Sequence, residues 1–166
     1  YTRLFSKLVT LAPEYAIADV TLQPNEPTLL DTVVVFTEGK TDWKHLKAAL
    51  NKFQVSGRFR NLKIHFLGDG QGSRKLLQMC KDYSRTRHDQ PHIFLFDRDE
   101  VDITNVVSGE KQMFKDWGNS VFSFALPIPS HRTETPEICI ELFYRDDEIR
   151  CADKYGRRLF LSNEFS

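Results

Sequence analysis

The sequence predicts an α/β fold, a mostly parallel sheet flanked by helices on both faces. Three observations carry that expectation. Two runs of strand length, Thr32-Val33-Val34-Val35-Phe36 and His92-Ile93-Phe94-Leu95-Phe96, are almost wholly apolar, as strands covered on both faces are. Segments with helical spacing separate the candidate strands. Strand and helix then alternate in order, the pattern that parallel pairing through crossover helices requires.

Taken in order, residues 1–31 read as an N-terminal helical and connecting segment. Leu4, Leu8 and Leu11 recur at helical spacing, and Pro13, Pro24 and Pro27 then break the chain. After the first strand, Thr41 to about Phe53 carries Trp43, Leu46, Ala49, Leu50 and Phe53 on a helical stripe with lysines between them. Leu62 to Leu67 alternates Leu62, Ile64 and Phe66 against Lys63 and His65, a second strand. A glycine turn, LGDGQGS, leads into a helix over about Ser73 to Tyr83, with Leu76, Leu77 and Cys80 on one stripe. His92 to Phe96 is the third strand. Val121 to Leu126 is the fourth, stopped by Pro127 and Pro129. Pro136 stands where proline opens a helix, and Glu137 to Tyr144 is expected to continue it.

At 166 residues the chain is long enough for one domain with a real core. Its 23 basic and 23 acidic residues cancel, so net charge makes no case for a polyanionic partner. Cys80, Cys139 and Cys151 form no CxxC pair, which points to reduced, structural cysteines in a cytoplasmic setting. No run approaches the ~18 apolar residues of a membrane span, so no membrane partner is expected. Tyr1 in place of a starting methionine leaves room for a longer parent protein.

Function is read from where the acids fall. All strands of a parallel sheet end on one edge, and ligands bind in the crevice beyond it. The first strand runs into Glu38-Gly39-Lys40-Thr41-Asp42, and the third ends on Asp97-Arg98-Asp99. Period-two alternation sends Asp97 and Asp99 to the same side, and Asp42 opens the following helix. Three or four carboxylates at one edge repel one another, and a cation among them relieves that. Hard oxygen ligands suit magnesium or manganese. Each acid also has a plain alternative. Asp42 suits a helix N-terminus, Asp99 a turn, and Glu38 a pair with Lys40 or Arg98.

Glu38-Gly39-x-x-Asp42 after a hydrophobic strand, a second strand and glycine turn, then a strand ending Asp97-x-Asp99, resembles the Toprim domain over about residues 32–126. The resemblance implies a Rossmann-like Toprim fold, with residues 32–166 as a catalytic domain carrying a C-terminal extension. It places the family's shared glutamate at Glu38 and its two aspartates at Asp97 and Asp99. The segment ETPEICIELFYRDDEI is similar to OLD-type and phage-defence nucleases, whose further acid matches Glu141, with Glu137 a competitor. The activity implied is hydrolysis of nucleic-acid phosphodiesters, DNA more than RNA, with Mg2+ or Mn2+. Asp97 and Asp99 anchor the ion, with Glu38 as ligand or base, and Asp42 with Glu141 completes a second position. Lys40 and Arg98 offset charge or simply form surface salt bridges. An ATPase domain or subunit is a possible regulator.

Smaller signals have two readings each. LGDGQGS is either a phosphate cradle or a tight turn with Ser73 as helix cap. Arg58, Arg60 and Lys63, then Lys81, Arg85, Arg87 and His88, then Lys154, Arg157 and Arg158 are backbone-binding groups or solvated faces. His131 is the one histidine to watch. The competing functions are a non-catalytic Toprim scaffold, an aspartyl phosphotransferase with Asp97 as nucleophile, and primase-like nucleotidyl transfer.

Overall fold

The computed structural model describes residues 2, 5–6, 32–68, 70–109, 113–133, 137–158 and 160. The element order is β1 (Val33–Thr37), α1 (Asp42–Val55), β2 (Ile64–Leu67), α2 (Ser73–Tyr83), β3 (His92–Phe96), α3 (Val101–Val107), β4 (Phe114–Gly118), β5 (Val121–Ala125) and a short α4 (Asp146–Ile149). The five strands form one sheet in the order β2-β1-β3-β5-β4. Four run parallel, and β4 returns antiparallel on the edge beside β5. This is the expected α/β architecture.

Alternation along each strand builds two cores. Val33, Val35, Ile93 and Leu95 face one layer with Leu46 and Leu50 of α1 and with Ile138 and Ile140. Val34, Phe36, Phe94 and Phe96 face the other, under Leu76, Leu77 and Cys80 of α2 and Ile103 and Val107 of α3. Each fully buried large side chain here contributes roughly 1.5–3 kcal/mol. Phe36 and Phe94 stack at 4.5 Å between neighbouring strands, which helps lock the β1–β3 register that places the site. Phe5 is wholly buried against Phe53 and Phe59, so the N-terminal segment contributes to the first core. The leucine stripe and prolines of residues 1–31 otherwise lie outside the described residues, as does Pro136.

Two expectations are corrected. Val121–Ala125 is the fifth strand, because β4 and α3 precede it. β4 turns into β5 at Asn119 and Ser120, both with positive φ (55° and 63°), as tight hairpin turns require. The helix expected over 137–144 does not form; Cys139 is extended and only Ile140–Phe143 makes a 3-10 turn. The reason is packing with period two: Ile138 and Ile140 are both buried, and the Ile138 carbonyl accepts from the Arg98 amide at 2.6 Å. Glu137 is therefore exposed and is not on a shared helical face with Glu141.

Cys80 is buried, Cys139 half-buried and Cys151 exposed, and all three are free thiols. Among the described residues no helix is long and apolar enough to cross a membrane.

Candidate functional site

β1 and β3 are hydrogen-bonded neighbours, with Thr37 opposite Leu95. Their C-terminal ends consequently deliver Glu38 and Asp97 side by side. The Asp97 amide donates to Glu38 Oε2 at 3.0 Å. Glu38 continues the side of β1 that carries Val34 and Phe36, toward α2, where the Ser73 hydroxyl is within hydrogen-bonding reach of it. Ser73 also donates to Glu100 Oε1. Asp97 continues the side of Ile93 and Leu95, toward α1 and the Ile138–Phe143 segment, where Asp42 and Glu141 lie.

Asp42 is the first residue of α1 and is largely buried. Its Oδ2 accepts from the Gly39 amide at 2.6 Å, closing the turn between strand and helix. Gly39 leaves room for the Asp42 carboxylate rather than supplying a left-handed φ. A Cβ there would sit 2.9 Å from the Asp42 carboxyl carbon. Gly68, at the exit of β2, is equally constrained: a Cβ would lie 2.9 Å from the Gly39 carbonyl and 3.0 Å from the Trp43 ring. The β2 exit thus packs directly on the Glu38 turn.

The electrostatics tie the five acids together. Asp97 is pushed up to about 8, by burial first and then by the charges of Asp42, Glu38, Asp99 and Glu141. Burial also raises Glu38, with Asp99 and Asp42 adding to it against the Asp97 amide and Ser73. Asp42 is raised by burial and by Glu141, opposed by the Gly39 amide. Cys139, burial first and Glu141 beside it, is held up at about 11 and stays a neutral thiol. Among the described residues none of the five acids forms a salt bridge.

Asp97 is therefore in electrostatic range of the other four sequence-derived acids. Even so, among the described residues no three His, Cys, Asp or Glu side chains are arranged to hold a metal ion as they stand. The hydrogen bonds supply a physical reason. Glu38 turns an oxygen onto the Asp97 amide and Asp42 turns one onto the Gly39 amide, each relieving its charge on a backbone donor. The chemistry of the donor set fits a hard divalent cation: every ligand is a carboxylate, and Asp97 lacks any cationic partner among the described residues.

The remaining candidates divide. Arg98 does not address the acids; its Nε donates to the Leu126 carbonyl at 2.9 Å, joining the ends of β3 and β5. Lys40 is exposed, and its stem covers Gly70. His131 is exposed, its Nε2 3.3 Å from the Tyr144 carbonyl oxygen. Ser73 is the first residue of α2 and caps nothing with its side chain; it belongs to the acid site instead. Arg58 lies over Phe53 and Phe59, Arg85 pairs with Asp82 and Arg157 with Asp153, so each of the three basic groups has a member with a partner in the chain.

Sequence reading missed Glu100, which holds Ser73, and the pair His45 and Tyr144, whose Nδ1 and hydroxyl lie 3.0 Å apart. Helical spacing three residues after Asp42 was the available signal for His45. A scan against models of protein families, a search of curated proteins and a search of solved structures each return no match.

Proposed function

We propose that this chain is a Toprim-like nuclease domain that hydrolyses nucleic-acid phosphodiester bonds, DNA in preference to RNA, using Mg2+ or Mn2+. One observation carries the reading. Five carboxylates meet at the C-terminal edge of a parallel sheet, and Asp97 among them is pushed up to about 8 by burial and by the other four. A cluster so costly to ionise has its natural counterpart in a bound cation.

In this reading Asp97 and Asp99 hold the ion, Glu38 is a further ligand or the base, and Asp42 with Glu141 forms a second position. A bound divalent ion supplies Lewis-acid polarisation of a phosphoryl oxygen and an acidified water. Asp97 gives up its proton when the ion is held. Glu38, as base, would take the proton of the attacking water while the Asp97 amide keeps the carboxylate oriented. As the new P–O bond forms the ester P–O bond breaks, and the leaving sugar oxygen would take its proton from solvent. Ser73 lies beside the same carboxylate on the α2 side, with its one proton given to Glu100. Lys40 faces solvent beside these acids and offsets charge on the phosphate. Control by an ATPase domain or subunit and a role in phage defence belong to the same reading.

The test is nicking of supercoiled plasmid with magnesium or manganese, run beside Asp97→Asn. The reading expects nicks from the parent, none from the variant, and equal circular dichroism. Equal cleavage by both proteins contradicts it.

A further inference from the structure

Residues 43–68 contain six lysines and arginines, two histidines and not one aspartate or glutamate. In a chain of balanced charge, that gap of 26 residues between Asp42 and Asp69 concentrates positive charge.

The fold gathers the run on one side of the molecule. It comprises α1, the turn over residues 56–62 and β2, and β2 is an edge strand of the sheet. α1 leaves the acid edge at Asp42 and runs about 21 Å away from it. β2, parallel to β1, brings the chain back.

Lys44, Lys47, Lys52, Arg58, Arg60 and Lys63 are all exposed. Among the described residues none of the six forms a salt bridge. Gln54 Nε2 donates to the Phe59 and Leu62 carbonyls at 3.2 and 2.9 Å, pinning the turn that carries Arg58 and Arg60. Arg58 lies 4.9 Å from the Phe53 ring, a contact with the flat face of the guanidinium that does not use its in-plane donors. One acid, Glu148 of α4, lines the adjoining groove with Lys52 and Arg58, and its Oε2 accepts from the Arg145 amide.

Cations gathered on one surface without acids among them favour a polyanion. Two features choose among polyanions. The exposed large apolar side chains of the run are Val55 and Leu67, so it offers no exposed ring on which unpaired bases stack. Nor does it offer the apolar face with which an amphipathic helix enters a lipid surface: the outer side of α1 carries Lys44, Lys47, Ala48, Asn51, Lys52 and Val55.

We infer that the outer face of α1 and the turn into β2 bind the phosphate backbone of double-stranded DNA, without reading its bases. The track begins at Lys44, two residues beyond Asp42, so a duplex lying on it reaches the acid edge. The choice of DNA and its delivery to the acids rest on the nuclease reading; the cationic surface does not.

The experiment is fluorescence anisotropy with a labelled DNA duplex of about 20 base pairs, in EDTA, over salt from about 0.05 to 0.2 M. Lys47→Gln and Arg60→Gln are compared with the parent. Lys81→Gln, on α2 across the sheet, is the control; all three side chains are exposed. The parent is expected to bind with a log–log salt slope of about −3 or steeper. Lys47→Gln and Arg60→Gln each flatten that slope by about 0.9 and weaken binding about fivefold, while Lys81→Gln changes neither. No binding, a salt-insensitive complex, or Lys47→Gln and Arg60→Gln binding no worse than Lys81→Gln overturns the surface. So does tighter binding of the single strand, of duplex RNA or of vesicles containing anionic phospholipid. The two readings fail separately. Duplex binding that depends on Lys47 and Arg60, without any metal-dependent nicking, removes the nuclease and keeps the surface. Nicking that Lys47→Gln combined with Arg60→Gln performs at the parent's KM removes the surface and keeps the nuclease.

Discussion

The Asp97 amide donates to the Glu38 carboxylate across the β1–β3 boundary at 3.0 Å. One acid of the cluster is thus positioned by the backbone of another, and the charge and the hydrogen bond of Glu38 are separable. Glu38→Gln retains an oxygen for the amide and removes the charge. It is expected to fold with at least parental stability, since one repulsive charge is gone, and to lose nicking about a hundredfold or more if Glu38 is the base. Glu38→Ala also leaves the amide without its acceptor and is expected to cost about 1–3 kcal/mol in urea unfolding. Equal stability of the two variants would show that the hydrogen bond does not matter.

The pH dependence has a definite sign. Asp97 is raised from 3.8 to about 8 on folding, so the folded chain binds this proton more tightly than the unfolded one. Its contribution is fully present below about pH 4 and is lost as pH rises through about 8. The metal-free protein is therefore expected to melt lower at pH 8 than at pH 6. Asp97→Asn flattens that difference, and added manganese restores stability at pH 8. Thermal scans at both pH values check this; a pH trend that persists in the variant assigns it to another group.

Gly39 leaves room for the Asp42 carboxylate. Gly39→Ala forces that side chain to swing, which breaks its bond from the Gly39 amide. Since the obstructing atoms belong to a side chain that can move, the fold is expected to survive with a modest loss of melting temperature. Manganese affinity is expected to fall about tenfold or more. Calorimetry on the variant, with circular dichroism as the folding control, decides it.

Arg98 sits between two acids in sequence yet works away from them, on the Leu126 carbonyl. Arg98→Met leaves that buried acceptor unpaired and is expected to cost about 1–3 kcal/mol of stability. Nicking per folded molecule should be retained. A normal melting temperature with lost turnover would place the guanidinium on the substrate instead.

How much of this the sequence revealed differs by region. β1, α1, α2 and β3 were legible within a residue or two because their apolar residues recur with one clean period and their ends carry turn signals. α3 was not. Its Val101, Ile103, Thr104, Val106 and Val107 are β-branched and disfavour helix, and burial of Ile103, Thr104 and Val107 holds the segment helical. β4, with Lys115 and Asp116 on an edge strand, shows no hydrophobic run; the Asn119-Ser120 turn was its one readable mark. The 137–144 segment misled because Pro136 opens helices so often, while Ile138 and Ile140 obeyed a period of two. At the site, Glu38, Asp97 and Asp99 could be read off strand ends and Asp42 off the start of a helix, while Glu141 came only from the resemblance. Glu100, Tyr144 and the part Ser73 plays could not, because their roles depend on which helix packs over which strand.

The central claim is that these carboxylates form a seat for a divalent cation, and calorimetric titration of the metal-free protein with Mn2+ tests it most directly. The account predicts saturable binding that releases protons near pH 7, where Asp97 still holds its own, and that disappears in Asp97→Asn. Absence of binding by the folded parent, or binding that Asp97→Asn leaves unchanged, would contradict it.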